Sequence, residues 1–354
     1  AEWYPVSIYC PKCGKDLTKI KSFDGEYTLS YSCKCGFEET ADIRKANYIK
    51  LKWRVDWPSR WAELGVDYEP YGKDHGTQGG SADTGQKIIQ EVFGKPPIIG
   101  VTYEFVSLKG ASGKMSSSKG NVVLPSDILS VMEPDVLRYL FVKTKPTKEL
   151  KIALDLDFLN VYDEFDRIET TYFGDEEITK REKYDKLYEF SNIWGYNSLP
   201  AQPSFRFMAV LVQITSDVDR IIKILKKEGH LKNELSETDI ERIKTRAKLA
   251  ANWVKLYAPE IIKFELMDEP PKIELSKGQK EGLKIISDLV QGEDLTDVEL
   301  HNKIYEIATN IPIEPKILFG AIYQVLIGKE SGPKAAAFIN ALEKDFVVER
   351  FRSY

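Results

Sequence analysis

Histidine, methionine and cysteine are all scarce in this chain, at three, four and four residues among 354. With only His75, His230 and His301 present, a histidine-rich metal centre is excluded. The four cysteines all lie before residue 36, and nothing later in the chain could pair with them. A disulfide scaffold is therefore excluded, and a local metal site is the natural reading of the thiols. No run of 18 apolar residues occurs, so no transmembrane helix is expected and no membrane partner is invoked. The opening Ala1-Glu2-Trp3-Tyr4-Pro5 has neither a basic n-region nor an apolar h-region, which argues against a signal peptide and for a cytoplasmic protein. A positive excess is missing too. The net charge of −5 does not advertise nucleic-acid binding, although basic residues cluster between Lys223 and Lys248. No period of 20–50 residues recurs, which excludes a repeat array.

What is present describes a globular protein of more than one domain. Hydrophobic residues make up 42% and charged residues 30%, enough to fill buried cores, and 354 residues suggest two to four of them. The cysteines stand as Cys10-Pro11-Lys12-Cys13-Gly14 and Cys33-Lys34-Cys35-Gly36. In each pair the following Gly permits a tight turn that aims two thiolates at one point, and Tyr27 to Tyr31 reads as a strand between the turns. Four thiolates with no open position suit structural Zn2+ held by Cys10, Cys13, Cys33 and Cys35, at about 2.3 Å per bond. A catalytic zinc would need a vacant ligand position.

Trp53, Trp57 and Trp61 recur every four residues, which is a helical stripe. Pro58 and the alternation through Val55 nevertheless favour a strand that enters a helix near Pro58 and ends near Gly65, with Asp56 at the junction. Val66 to Tyr71, a glycine-rich turn, a helix that starts near Ser81 to Thr84 and includes Lys87 to Phe93 with Gly94 as its C-cap, and the apolar run Ile98 to Val106 read as one βαβ unit of a parallel sheet. His75 then falls at a strand's carboxyl end beside a helix N-terminus, where ligands gather in such sheets. Beyond residue 150 the pattern is helical. Phe205 to Lys227 reads as one long amphipathic helix. Ser236-x-x-Asp239, Ser276-x-x-Gln279 and Thr296-x-x-Glu299 are capping boxes, Pro315 and Pro333 suit first helical turns, and Gly292 and Gly328 suit C-caps.

Between these halves lies Lys114-Met115-Ser116-Ser117-Ser118-Lys119-Gly120-Asn121. It is not the Walker sequence G-x-x-x-x-G-K-[ST]. As a polar loop bracketed by glycine, with lysine at both ends, it can close over a phosphate chain, through backbone N–H groups, Ser hydroxyls and two ammonium charges. It resembles the KMSKS signature of class I aminoacyl-tRNA synthetases in its K-M-S-S-S-K variant. Together with Lys52-Trp53-Arg54-Val55-Asp56-Trp57-Pro58-Ser59-Arg60-Trp61, Gly72-Lys73-Asp74-His75 and Tyr103-Glu104-Phe105, it looks like class I (archaeal-type) lysyl-tRNA synthetase. The stretch from Asn302 through Gly328 to Phe338 is similar to that family's C-terminal helices.

The resemblance implies an α/β plus all-α fold: half of a doubly wound Rossmann-type parallel sheet with a four-cysteine zinc knob, then a KMSKS-loop region and a helical anticodon-binding region. It implies a zinc-binding insertion over 1–47, the second half of the catalytic domain over 48–112, the loop and connecting helices over 113–170, a helical domain over 171–275 and an anticodon-binding domain over 276–354. The implied activity is ATP-dependent attachment of L-lysine to tRNA(Lys) through a lysyl-adenylate, with Mg2+ accompanying ATP. Lys114 and Lys119 would act on the phosphates, and Lys114, Met115, Ser116, Ser117 and Ser118 would bind ATP. The usual second signature lysine falls at Ser117 here, so either Lys119 substitutes or Lys114 acts largely alone. Substrate lysine needs a carboxylate or an aromatic face for its ammonium. Trp53, His75, Tyr103 and Asp56 are assigned to that pocket, with Trp57 and Glu104 near it. Trp194, Trp253, Arg242, Lys244, Arg246 and Lys248 are available to single-stranded RNA, but most such residues on helices are solvated or core, and no site is assigned to them.

The family's HIGH or HIGN segment does not occur in these 354 residues. A C-terminal portion of the synthetase, inactive alone, is therefore expected. The alternatives are another class I synthetase-like nucleotidyl transferase and a non-catalytic tRNA-binding fragment.

Overall fold

The computed structural model describes residues 3–110, 122–174, 179–232, 234–311 and 313–354. The chain separates into two units, Ala1–Phe105 with Pro146–Glu149, and Val106–Lys145 with Leu150–Tyr354. Lys114, Met115, Ser116, Ser117, Ser118 and Lys119 lie outside the described residues.

The first unit begins with β1 (Val6–Ile8), β2 (Thr18–Phe23), β3 (Thr28–Cys33), β4 (Glu38–Asp42) and β5 (Ile49–Leu51). β2, β3 and β4 form an antiparallel meander, while β1 pairs antiparallel with β5. Leu29, Tyr31 and Cys33 alternate inward along β3, and Ile8, Leu29, Tyr31 and Ala41 form a small core. The Tyr31 and Tyr48 hydroxyls both donate to the Glu39 carboxylate, at 2.8 and 2.7 Å.

Helix α1 (Trp53–Leu64) follows, and here the sequence expectation of a strand up to Pro58 is corrected. Pro58 lies inside the helix. An interior proline costs about 3 kcal/mol. Burying an indole removes about 150–250 Å² from water, worth about 4–6 kcal/mol at 25 cal/mol per Å². Trp57 and Trp61 are 7% and 1% exposed, so the helical stripe outweighs the proline. Gly65 ends α1 in the left-handed conformation, φ 64°, its N–H donating to the Trp61 carbonyl. Strand β6 (Tyr68–Gly72), the short α2 (Lys73–Gly76), α3 (Ser81–Glu91) and β7 (Ile99–Tyr103) complete the βαβ unit. β6 and β7 are parallel, with Gly72 opposite Tyr103. Trp57, Trp61, Ala82, Ile89 and Ile98 form the core between α1, α3 and the strands.

In the second unit β8 (Val106–Leu108) pairs in parallel with β9 (Leu150–Ile152), between which α4 (Pro125–Leu129) and α5 (Pro134–Lys143) are inserted. The helices α6 (Asp157–Phe173), α7 (Arg181–Ser191), α8 (Phe205–Ile214), α9 (Val218–Lys227) and α10 (Glu237–Leu256) share a core that includes Phe158, Tyr162, Phe205 and Trp253. A second core joins α11 (Lys277–Gly292), α12 (Asp297–Asn310), α13 (Pro315–Ile327), α14 (Ala335–Ala341) and α15 (Lys344–Arg352).

The three capping boxes open α10, α11 and α12, and Pro315 is the first residue of α13. The long helix expected over Phe205–Lys227 is instead α8 and α9. Asp217 breaks it, because its carboxylate accepts from the Asp219 and Arg220 amides and starts a new helix. Gly328 caps α13 at φ 66°, whereas Gly292 is the last residue of α11 and Pro333 precedes the cap of α14.

Candidate functional site

The four cysteines converge. Cys10 and Gly14 close one turn, Gly14 N–H donating to the Cys10 carbonyl at 2.7 Å. Cys33 and Gly36 close the other at 2.9 Å. Both glycines have positive φ, 70° and 85°, which the turns require. Cys10 Sγ lies 3.7 Å from Cys35 Sγ, and Cys13 Sγ 3.6 Å from Cys33 Sγ. All four sulfurs fall within 4.8 Å of one another. Tetrahedral zinc with bonds of about 2.3 Å spaces its sulfurs about 3.8 Å apart, so the donor set fits that ion. The Phe37 amide beside Cys35 holds its thiol down to about 7, which favours the thiolate a metal needs. The shortened second pair is accommodated because Cys33 is the last residue of β3 and only Cys35 has to come from the turn.

The second constellation stands at the carboxyl ends of β6 and β7. α1 presents Trp53 and Trp57 one turn apart, their rings stacked at 5.0 Å and 20°. His75, on α2, lies 6.2 Å from the Trp53 ring and 5.5 Å from the Trp57 ring. Trp57 is buried, and Trp53 is half exposed at 51%. Of the residues expected to form a lysine pocket, Trp53 and His75 are therefore brought together. Tyr103 is the last residue of β7, 49% exposed, next to β6 at Gly72. Asp56 is not at a strand end: it sits on α1, and its carboxylate accepts from Arg60 Nε at 2.8 Å. Glu104 forms an ion pair with Lys73 at 2.6 Å, and Lys73 Nζ also lies 4.9 Å from the Phe105 ring centre. Hydrogen bonding to Glu104 raises the Lys73 pKa.

Sequence reasoning missed the residues that hold the turn carrying His75. Ser81 Oγ lies 2.7 Å from His75 Nδ1. Arg54 Nη1 donates to the Gly79 carbonyl at 2.8 Å, and Asp83 accepts from the Gly79 N–H at 3.0 Å. A side chain at Gly80 would meet the His75 carbonyl at 2.4 Å, so the backbone can pass there only without one. The signal available beforehand was Gly79-Gly80-Ser81 at a helix start.

In the second unit α10 carries Arg242 and Arg246, which are 3% and 0% exposed. Arg246 donates to Glu133 at 2.7 Å and to Asp166 at 2.8 Å, while Arg242 donates to Glu133 at 3.2 Å and to Glu169 at 2.7 Å. Trp253 is also fully buried, its indole N–H donating to the Leu154 carbonyl. These three, among the residues available to single-stranded RNA by type alone, are core residues. Lys244 and Lys248 are exposed, and Trp194 is 59% exposed.

A four-cysteine cluster, a parallel βαβ unit and a helical remainder accord with the class I aminoacyl-tRNA synthetase that the sequence motifs resemble. A family profile described as "tRNA synthetases class I (K)" matches residues 1–194, more than half of the chain. A "Lysine--tRNA ligase" of Pyrococcus horikoshii is 43% identical over 99% of this chain and 67% of its own length. The enzyme of that name from Thermococcus kodakarensis is 46% identical over 99% and 67%, and that of Borrelia garinii 40% over 97% and 66%. The chain belongs to the class I lysyl-tRNA synthetase family, and it spans about two thirds of the length of these relatives. No described helix is long and apolar enough to cross a membrane.

Proposed function

We propose that this chain serves the ATP-dependent attachment of L-lysine to tRNA(Lys) through a lysyl-adenylate, in the cytoplasm. The observation that carries the reading is 43–46% identity to lysine--tRNA ligases across 99% of the chain. In the first step a lysine carboxylate oxygen attacks the α-phosphorus of ATP and pyrophosphate leaves. In the second a terminal ribose hydroxyl of tRNA attacks the lysyl carbonyl carbon and AMP leaves. Neither step needs a covalent enzyme intermediate, so positioning and charge stabilisation dominate.

The β6–α3–β7 unit is read as part of a Rossmann-type nucleotide-binding fold. Lys114 and Lys119, with Met115, Ser116, Ser117 and Ser118, are assigned to ATP, which Mg2+ accompanies. Trp53, His75 and Tyr103 are assigned to the lysine side chain; Asp56, paired to Arg60, is the weakest member of that set. Zn2+ at Cys10, Cys13, Cys33 and Cys35 has a structural role. Residues 276–354 are assigned to the anticodon region.

The test is lysine-dependent ATP–pyrophosphate exchange. In the intact enzyme, Lys114→Ala is expected to lower the adenylation rate about 10²-fold or more, the cost of one charge-stabilising donor. An unchanged pre-steady-state rate rejects the assignment. Because no HIGH or HIGN segment occurs here, these 354 residues by themselves are expected to show no exchange. Robust exchange by them overturns that part.

A further inference from the structure

Ser81 is buried, 8% exposed, and is the first residue of an eleven-residue helix, α3. The N-cap of α3 is Gly80, so the Ser81 hydroxyl lies one position past the place where a serine turns to the helix's own amides. It meets His75 Nδ1 at 2.7 Å instead. The turn between them is held from both sides, by Arg54 on the Gly79 carbonyl and by Asp83 on the Gly79 amide. The imidazole is further fixed by the Trp53 and Trp57 rings. With Nδ1 engaged, Nε2 is the ring nitrogen left without a hydrogen-bond partner among the described residues.

An ammonium group offers only donors, so an imidazole can accept from it only through an unprotonated nitrogen. We propose that Ser81 is a positioning residue: its hydroxyl oxygen accepts the Nδ1 proton of His75 and thereby leaves the Nε2 lone pair to receive the ε-ammonium of substrate lysine. No bond is made or broken; the device selects one neutral tautomer and one ring orientation. The proposal rests on the lysine reading above, and it adds a residue that touches no substrate itself. The opposite arrangement, with the serine donating to Nδ1, would put the proton on Nε2 and suit an anion such as a phosphate or carboxylate.

With three histidines in the chain, the tautomer can be read directly. Long-range ¹H–¹⁵N correlation spectra of the histidine-labelled chain, with His75 assigned by His75→Gln, are expected to show the proton on Nδ1. Ser81→Ala is expected to move it to Nε2 or to a mixture, while Ser81→Thr keeps it on Nδ1. In the intact enzyme, Ser81→Ala should raise KM for lysine about 10-fold in pyrophosphate exchange with kcat within about twofold, and Ser81→Thr should restore it. A wild-type proton on Nε2 overturns the proposal, and so does an unmoved KM in Ser81→Ala. Wild-type enzyme without lysine-dependent exchange would sink the functional reading instead, and the tautomer spectra would still decide how Ser81 holds His75.

Discussion

Gly85 shows how a single missing methyl group sets a helix contact. It lies inside α3, and a Cβ built there would meet Trp61 Cζ3 at 2.8 Å and Cη2 at 3.0 Å. Alanine is favoured over glycine in a helix interior by about 1 kcal/mol. The indole it would strike is 1% exposed and rigid, and overpacking such a core costs about 1–3 kcal/mol. Gly85→Ala is therefore expected to destabilise the first unit by up to about 2 kcal/mol net, measured by denaturant unfolding followed through tryptophan fluorescence. A gain in stability would show that α1 and α3 can move apart freely. At this scale the sequence was a good guide to Cys10, Cys13, Cys33 and Cys35, whose spacing allows little besides convergence. It could not reveal Ser81 or Arg54, because a serine after two glycines looks like an ordinary helix start until its partner is known.

Among the elements, boundaries were readable where one side chain satisfies one backbone group. Ser236, Ser276 and Thr296 each accept from the amide three residues on, a local bond that depends on nothing distant. Asp217 acts by the same chemistry, but the apolar periodicity runs unbroken across it and hides the boundary. The meander β2–β3–β4 is the element most dependent on something outside its own packing. Its core is Ile8, Leu29, Tyr31 and Ala41, which by burial supplies about 1.5–3 kcal/mol for each of the larger side chains. A structural zinc site contributes on the order of 10 kcal/mol of apparent folding free energy in small modules. We expect one zinc per chain by elemental analysis. Its removal by a strong chelator, or Cys33→Ser, should abolish the near-ultraviolet signal of Tyr31 and Tyr48 while the helical far-ultraviolet signal persists. A chelated, zinc-free protein with an unchanged tyrosine signal would remove the metal from the account.

The second unit as a whole is tied together by charge as well as by its apolar cores. Arg246 on α10 reaches Glu133, the cap of α5, Asp166 on α6 and the Pro203 carbonyl ahead of α8. Burial by itself disfavours a guanidinium, yet the carboxylates of Asp166 and Glu133 hold its pKa well above the usual value. Truncation leaves Asp166 without its cation and Glu133 with Arg242 alone, which costs about 3–5 kcal/mol in a buried network. Arg246→Ala is expected to lower the unfolding free energy by that amount, read from far-ultraviolet circular dichroism in denaturant. A change under about 1 kcal/mol would mean that water replaces the guanidinium.

The sequence by itself determined the class of this chain: an α/β beginning with a parallel βαβ unit, a convergent cysteine site, a lysine- and serine-rich motif and a helical remainder. Those features rest on local signals, such as turn chemistry, caps, apolar period and motif spacing, that act over a few residues. Tertiary structure alone decided three things. Trp53 belongs to a helix through Pro58, because the burial of Trp57 and Trp61 exceeds the proline penalty. Arg242, Arg246 and Trp253 belong to a core and not to an RNA surface, because their carboxylate and carbonyl partners come from residues 43 to 113 positions away. His75 has an oriented ring because Ser81 and two tryptophans meet it from different elements. In each case the deciding energy comes from groups brought together only when the chain folds.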